Sequence, residues 1–154
     1  MRNAEHGKIS CERVQFMKGT DLKRRTKRFA LDIIKFVESL PKDETCRVIG
    51  RQLLRAGTSV GANYRAATRA KSPADFMSKM GTVEEEADES GYWLELLIDA
   101  GITTVEKSGP LVTEADELVA IAVSSINTAR GSTRQPVSPE RRNSAFRIPR
   151  SALP

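Results

Sequence analysis

The sequence predicts an all-α protein, an antiparallel up-down four-helix bundle with disordered N- and C-terminal tails. Three observations support this fold class. Apolar residues recur at helical spacing in four successive segments, no segment shows the alternation of a β-strand, and the connections between segments are short. At 154 residues the chain is long enough to form one hydrophobic core.

The first helix is predicted to start at Asp21, whose carboxylate can cap it, and to end before Pro41. Its apolar positions are Phe29, Ile33, Phe36, Val37 and Leu40. Five cations crowd its start, where they oppose the helix dipole; this either reflects a solvated helix end, the more common explanation, or suggests an anionic partner. These are Lys23, Arg24, Arg25, Lys27 and Arg28.

The second helix is predicted to begin around residues 43–45 and to continue to Ala70. Its later part, TSVGANYRAATRAKS at residues 58–72, resembles a phosphate-binding loop at first sight. That interpretation is excluded because the stretch has no GK[ST] signature and no strand leads into it. Gly57 and Gly61 lie one turn apart, which would let a neighbouring helix approach closely.

The third helix has the clearest start signal in the chain. Ser72 can serve as the N-cap, Pro73 occupies the first helical position, and Asp75 places an acid at the third. The helix is predicted to end at Gly101, which together with the following Ile102 fits a C-cap.

A fourth helix is predicted to begin at Thr113 and to stop near residues 130–131. Residues 1–19 lack periodicity and residues 132–154 are rich in Ser, Pro and Arg, so two disordered tails are expected around a bundle formed by residues 20–131. The chain contains no apolar run long enough for a membrane span and no secretory signal, and a cytoplasmic location is therefore expected.

Charge is segregated along the predicted bundle rather than spread over it. Residues 20–130 hold 16 basic and 17 acidic side chains, so the bundle itself is close to neutral. Within it, residues 47–71 carry six positive charges and no negative one, whereas residues 74–99 carry eight acids and only one lysine. This segregation is more informative than the net charge of the bundle.

The second helix carries two sets of candidate binding residues. At about 100° per residue, a basic stripe lies opposite part of the apolar face and consists of Arg47, Arg51, Arg65 and Arg69. Between the two faces runs a polar seam, which consists of Gln52, Arg55, Ser59 and Asn63. The seam either fixes helix register through hydrogen bonds or lines a groove or an oligomer channel.

The third helix carries an acidic face formed by Glu84, Asp88, Glu95 and Asp99, with Glu85 and Glu89 beside it. This face is either solvated or meets the basic stripe, within one subunit or between copies, because Arg binds carboxylates through two parallel hydrogen bonds. Trp93 lies off the apolar stripe near Glu86 and Glu89, where a second subunit could cover it.

No residue pattern in the chain indicates catalysis. The single histidine, His6, falls in the N-terminal tail, so a Ser–His pair is not expected. The two cysteines form no CxxC motif, and the Glu-x-x-His motif of carboxylate-bridged metal sites in bundles is absent. We therefore expect a non-enzymatic protein without a metal ion or cofactor.

The string Gln52-Leu53-x-Arg55-Ala56-x-x-Ser59-Val60-x-x-Asn63, followed by Arg69, Ser72, Phe76 and Glu89, is similar to the pattern of the four-helix-bundle proteins known as 23S rRNA intervening-sequence proteins. The resemblance covers about residues 22–130. It implies a small cytosolic bacterial bundle that forms pentamers. One departure is Ala66, which stands where the family commonly has Glu.

Three functions remain open at this point. The resemblance and the basic residues favour an oligomer that binds RNA or a nucleoprotein partner. A purely structural or protein-interaction oligomer, in which the basic and acidic faces meet across subunits, is the alternative. A related branch of the family implies a third role, as an accessory protein of a retroelement.

Overall fold

The computed structural model describes residues 20–133, and all four of its regular elements are helices. They are α1 (Thr20–Ser39), α2 (Glu44–Ala67), α3 (Pro73–Asp99) and α4 (Val105–Thr133). This confirms the predicted all-α four-helix bundle. Residues 1–19 and 134–154, which make up nearly all of the two predicted tails, lie outside the described residues. Within residues 20–133, no helix combines the length and apolar content needed to cross a bilayer.

Each helix packs against the one that follows it in the chain, and α1 also touches α4 along a much smaller area. Contacts along α2 show that α1 runs in the opposite direction. Gly50 faces Val37, Gly57 faces Ile33, and Gly61 faces Thr26. The other connections are only a few residues long, so successive helices must also reverse direction.

One core runs between the four helices. Its largest fully buried side chains come from every element: Phe29 and Ile33, Leu53 and Val60, Met80, Leu94 and Leu97, and Leu118. Each of these recurs three, four or seven positions from another apolar residue of the same helix. The amphipathic period therefore directs one face of each helix into the same interior.

Capping residues are present at the starts of α2 and α3, and Ser72 at α3 is the one that the sequence predicted. The Asp43 carboxylate accepts a hydrogen bond from the backbone N–H of Cys46, and the Ser72 hydroxyl accepts one from that of Asp75. At the end of α3, Gly101 has a φ of 67°, and the Ile102 N–H donates to the Leu97 carbonyl at 3.0 Å. This left-handed glycine is the C-cap that the sequence predicted.

Two predicted helix boundaries are wrong, the end of α2 by three residues and the start of α4 by eight. Helix α2 ends at Ala67 rather than Ala70, because Arg69 and Ala70 donate to carbonyls only three residues earlier. The chain must leave the helix here since Ser72, which precedes Pro73, is extended, with φ −156° and ψ 162°. Arg69 consequently lies in the turn after α2.

The predicted start of α4 at Thr113 is also wrong, because the helix begins eight residues earlier at Val105. The Thr104 carbonyl accepts hydrogen bonds from the N–H groups of Lys107 and Ser108, which starts the helix. Pro110 lies inside α4 close to its N-terminus, where only one internal hydrogen bond is lost. The helix then continues to Thr133.

Candidate functional site

Helix α2 runs without interruption through the glycines in its centre, and these glycines bring it against α1. A Cβ atom on Gly57 would lie only 2.8 Å from Cγ1 of Ile33, and one on Gly61 would lie 3.4 Å from the backbone carbonyl oxygen of Thr26. No side chain larger than hydrogen fits at Gly57 unless Ile33 moves. This close approach determines where the side chains on the outer side of α2 lie relative to α1.

The basic stripe lies on the outer side of α2. Arg47, Arg51 and Arg65 are exposed on the helix, and Arg69 is exposed in the following turn. Arg47 pairs with Glu44 of its own helix. The guanidinium groups of the other three form no ion pair with any carboxylate among residues 20–133.

The two ends of the basic stripe have different surroundings. Arg47 and Arg51 flank a groove between the end of α1 and the start of α2. At the other end, Gly61 lies beside the backbone of Thr26 and Lys27. Arg65, one helical turn beyond Gly61, therefore reaches the level of Lys23 on the antiparallel α1. We define the basic patch as four of the exposed cations at this end: Lys23, Lys27, Arg65 and Arg69.

Two of the cations at the start of α1 are directed away from the basic patch. The Arg25 guanidinium donates to both oxygens of Glu114, at 2.6 and 2.9 Å, and also contacts Glu117 on α4. The hydrogen bond to Glu114 raises the pKa of the Arg25 guanidinium above its ordinary value. Arg28 pairs with Asp32 one turn along α1. The predicted cluster of five cations is thus divided between binding α4 and facing solvent.

The polar seam lies on the flank of α2 that faces α3. Gln52 and Arg55 are exposed, whereas Ser59 and Asn63 are half-buried. The Asn63 side-chain amide donates to the Ser59 carbonyl at 2.9 Å, within the same helix. This hydrogen bond stabilises the local helix conformation but does not join α2 to α3.

On the side of α3 that faces α2, Glu86 carries a polar atom that has no hydrogen-bond partner among the described residues. Its Oε2 atom is buried and accepts no hydrogen bond from any described residue. Burial raises the pKa of the Glu86 carboxyl and the Glu89 carboxylate raises it further, whereas the Arg55 guanidinium opposes the shift. A buried carboxylate left in this state costs stability when it is ionised.

The acidic face of α3 does not meet the basic stripe within the subunit. Gly91 of α3 packs beside Ala115 of α4, and Glu86 lies near Arg55 of α2, so the two flanks of α3 face different helices. At about 100° per residue, Glu84 and Asp88 fall on the flank toward α4. The basic stripe is on the far flank of α2, next to α1. Neither Glu84 nor Asp88 forms an ion pair with a described residue.

An aromatic pair interrupts the acidic face. Trp93 packs partly against the core and donates its indole N–H to the Glu89 carboxylate at 3.1 Å. Tyr92 is 55% exposed and meets Trp93 edge to face, with ring centroids 5.0 Å apart. The sequence placed Trp93 near Glu89. It also places Tyr92 among acids, because most of its neighbours one turn away are acidic.

The site offers charged groups suited to binding. Among the residues that the structure describes, no three His, Cys, Asp or Glu side chains converge where a metal ion could sit. Exposed guanidinium and ammonium groups on one side, and exposed carboxylates on another, are able to bind molecular surfaces of opposite charge.

Comparison with known proteins points to one family. The model of the family described as 23S rRNA-intervening sequence protein matches residues 18–124. Similar solved structures include a crystal structure of a protein with unknown function from the S23 ribosomal protein family of Bacteroides thetaiotaomicron. That protein is 36% identical to this chain with a TM-score of 0.64, and the match covers 68% of this chain and 96% of that one. Among curated proteins, none matches this chain.

Proposed function

This chain belongs to the 23S rRNA-intervening sequence protein family, and we propose that it is a non-enzymatic, oligomeric bundle that binds RNA or a nucleoprotein partner in the cytoplasm. The family description refers to rRNA, and the neighbour of known structure is described as a protein of unknown function. The proposal therefore depends on what this chain's own side chains can bind.

The observation that carries the proposal is the basic patch. Two helices contribute to it, Lys23 and Lys27 from α1 and Arg65 at the end of α2, with Arg69 just beyond. All four side chains are exposed, and no carboxylate among residues 20–133 forms an ion pair with any of them. Phosphate groups would neutralise these cations without requiring any rearrangement of the helices.

The chemistry of the patch indicates how RNA would be recognised. Stacking on bases needs exposed aromatic rings, and the patch has none, because Tyr64 beside it is buried. Arg and Lys contacts to the phosphate backbone position a nucleic acid but read no sequence. We therefore expect the patch to bind the RNA backbone with little sequence preference.

Salt dependence of RNA binding tests the proposal. With four cations in contact with phosphates of a single strand, the logarithm of the association constant should fall with the logarithm of salt concentration with a slope of about −3. Fluorescence anisotropy of a labelled single-stranded RNA, measured with the full chain between low and physiological salt, provides the slope. A flat line, or no binding at low salt, contradicts the proposal.

A second candidate is a purely structural oligomer, and the acidic face favours it. The carboxylates of Glu84, Glu85 and Asp88 have no described basic partner, and the basic stripe has unpaired guanidinium groups on another side of the same subunit. The family resemblance makes a pentamer the expected assembly. Under the retroelement-type alternative, the basic patch would bind a nucleoprotein rather than free RNA.

A further inference from the structure

The groove between the end of α1 and the start of α2 has an apolar floor and a cationic rim. It encloses about 320 Å³, and Val37, Leu40 and Leu54 line its floor. Lys42, Arg47 and Arg51 stand around it. The Lys42 ammonium donates only to the Glu38 backbone carbonyl, and Arg51 has no described ion-pair partner. Such a groove suits an apolar or aromatic side chain that is flanked by carboxylates.

Helix α3 of the same chain presents a side chain of this kind. Tyr92 is 55% exposed, so much of its ring is available to a partner. Of the residues three or four positions away on the same helix surface, three are acidic: Asp88, Glu89 and Glu95. Asp88 and Glu95 are exposed, and neither forms an ion pair with a described residue.

We propose that Tyr92 of one copy of this chain inserts into the α1–α2 groove of a second copy, with Asp88 and Glu95 beside Arg47 and Arg51. The inference rests on the homo-oligomer in the proposed function and is independent of RNA binding. A second copy is the occupant because the chain itself carries the complementary surface. Tyr92 cannot reach its own groove, since α3 makes no contact with α1 among the described helices and the groove lies on the α1 side of α2.

We call this contact between Tyr92 of one copy and the groove of another the joint. It has a direct consequence for the assembly. The inserted ring and the groove are different surfaces, so after the first joint forms one copy still has a free groove and the other still has a free Tyr92. Contacts of this head-to-tail type build closed rings when the rotation between neighbours closes, and open filaments when it does not. Burial of the ring is expected to contribute most of the affinity, and the surrounding ion pairs are expected to set the orientation.

Sedimentation velocity of full-length variants tests the joint. Tyr92→Asp removes the inserted ring, and Arg47→Glu/Arg51→Glu reverses the charge of the groove. Val123→Asp is the matched control, because Val123 is an apolar residue of α4 that is 37% exposed and lies outside the joint. The first two variants should raise the dissociation constant of the oligomer at least about 100-fold, whereas the control should assemble as the wild type does. Circular dichroism verifies that each variant is folded.

Mixing the two defective variants makes the test specific. The Tyr92→Asp chain retains an intact groove and the groove variant retains Tyr92, so an equimolar mixture should form dimers with one copy of each. A monomeric wild-type protein, a Tyr92→Asp variant that assembles like the wild type, or a mixture that stays monomeric would each overturn the inference. None of these variants alters the basic patch, so the salt dependence of RNA binding reports separately on the proposed function.

Discussion

Helices α2 and α3 pack into the same core, but they meet their neighbours in different ways. Helix α2 approaches α1 through glycines, most closely at Gly57, which lies against Ile33. Helix α3 fills the interior with large side chains such as Met80 and Leu94, and its Gly81 faces open space. The contact of α2 with α1 therefore depends on the absence of side chains at its glycines, whereas Gly81 of α3 has no such role.

The outer faces of the two helices differ in charge. Helix α2 and the turn after it present four arginines of the basic stripe, and α3 presents the acidic face. The helices are neighbours, yet the two charged faces lie on flanks that point away from each other. Opposite charges on adjacent helices thus need not stabilise the subunit, and here they remain available to other molecules.

The largest expected effect comes from reversing charge in the basic patch. Arg65→Glu/Arg69→Glu should weaken RNA binding on the order of 100-fold at low salt, since two phosphate contacts become repulsive, and the salt slope should become shallower. Lys35→Glu/Lys107→Glu changes the net charge equally at exposed positions outside the patch. If this control weakens binding as much as the patch variant does, the patch has no special role.

The next largest effect is a difference in stability between a glycine-to-alanine substitution on α2 and one on α3. Gly57→Ala should lower the free energy of unfolding by about 1–3 kcal/mol, because the new Cβ atom overlaps Ile33 close to its backbone. Gly81→Ala should raise it by about 0.5–1 kcal/mol, because alanine favours the helix and no atom lies within 4 Å. Urea unfolding measures both. Equal effects of the two substitutions would contradict the close approach of α1 and α2.

A smaller effect concerns Glu86, on the side of α3 that faces α2. The pKa of this carboxyl is raised in the folded protein, so its ionisation disfavours folding. The loss of folding stability caused by this ionisation is absent at acidic pH, below the ordinary pKa of the carboxyl. It grows as the pH rises through the folded-state pKa. Glu86→Gln should therefore stabilise the protein relative to wild type at pH 7, by less than about 1 kcal/mol.

The pH dependence distinguishes this cause from a change in packing. The difference between Glu86→Gln and wild type should shrink when unfolding is measured near pH 3, well below the ordinary pKa of a Glu carboxyl, where the wild-type carboxyl is largely protonated in both states. Glu85→Gln, at the exposed neighbouring position, serves as the control. A stability difference that is the same at both pH values would mean that ionisation of Glu86 is not responsible.

The smallest expected effect is at the polar seam. Asn63→Ala removes a hydrogen bond to the Ser59 carbonyl of the same helix and gains helix propensity, so the free energy of unfolding should change by no more than about 0.5 kcal/mol. Thermal unfolding measures this. A loss above about 1 kcal/mol would show that the seam joins α2 to α3 after all.

Local signals in the sequence located most of the fold. Ser72 and Gly101 mark the ends of α3 because capping depends only on a few adjacent residues. The predicted start of α4 at Thr113 was wrong, since the helix already begins at Val105 and includes Pro110 near its N-terminus. The apolar period predicted which residues of each helix face the core.

The candidate site was harder to predict, because it depends on which helix lies beside each flank. The helical period of α2 places its arginines in one sector of the helix surface, but it does not predict that α1 lies next to them. That arrangement follows from the packing of Gly57 and Gly61 against α1. Burial of the Glu86 oxygen and the pairing of Arg25 with Glu114 depend on contacts between distant segments, which a pattern within one helix does not reveal.

The measurement that tests the central claim most directly is photo-crosslinking of the full chain to RNA that contains 4-thiouridine, followed by mass spectrometry of the digested protein. The claim is that the basic patch, rather than the charged surface in general, contacts the nucleic acid. We expect crosslinked peptides from the start of α1 around Lys23 and Lys27 and from the end of α2 around Arg65 and Arg69. Crosslinks confined to α3, α4 or the segments 1–19 and 134–154 would contradict it.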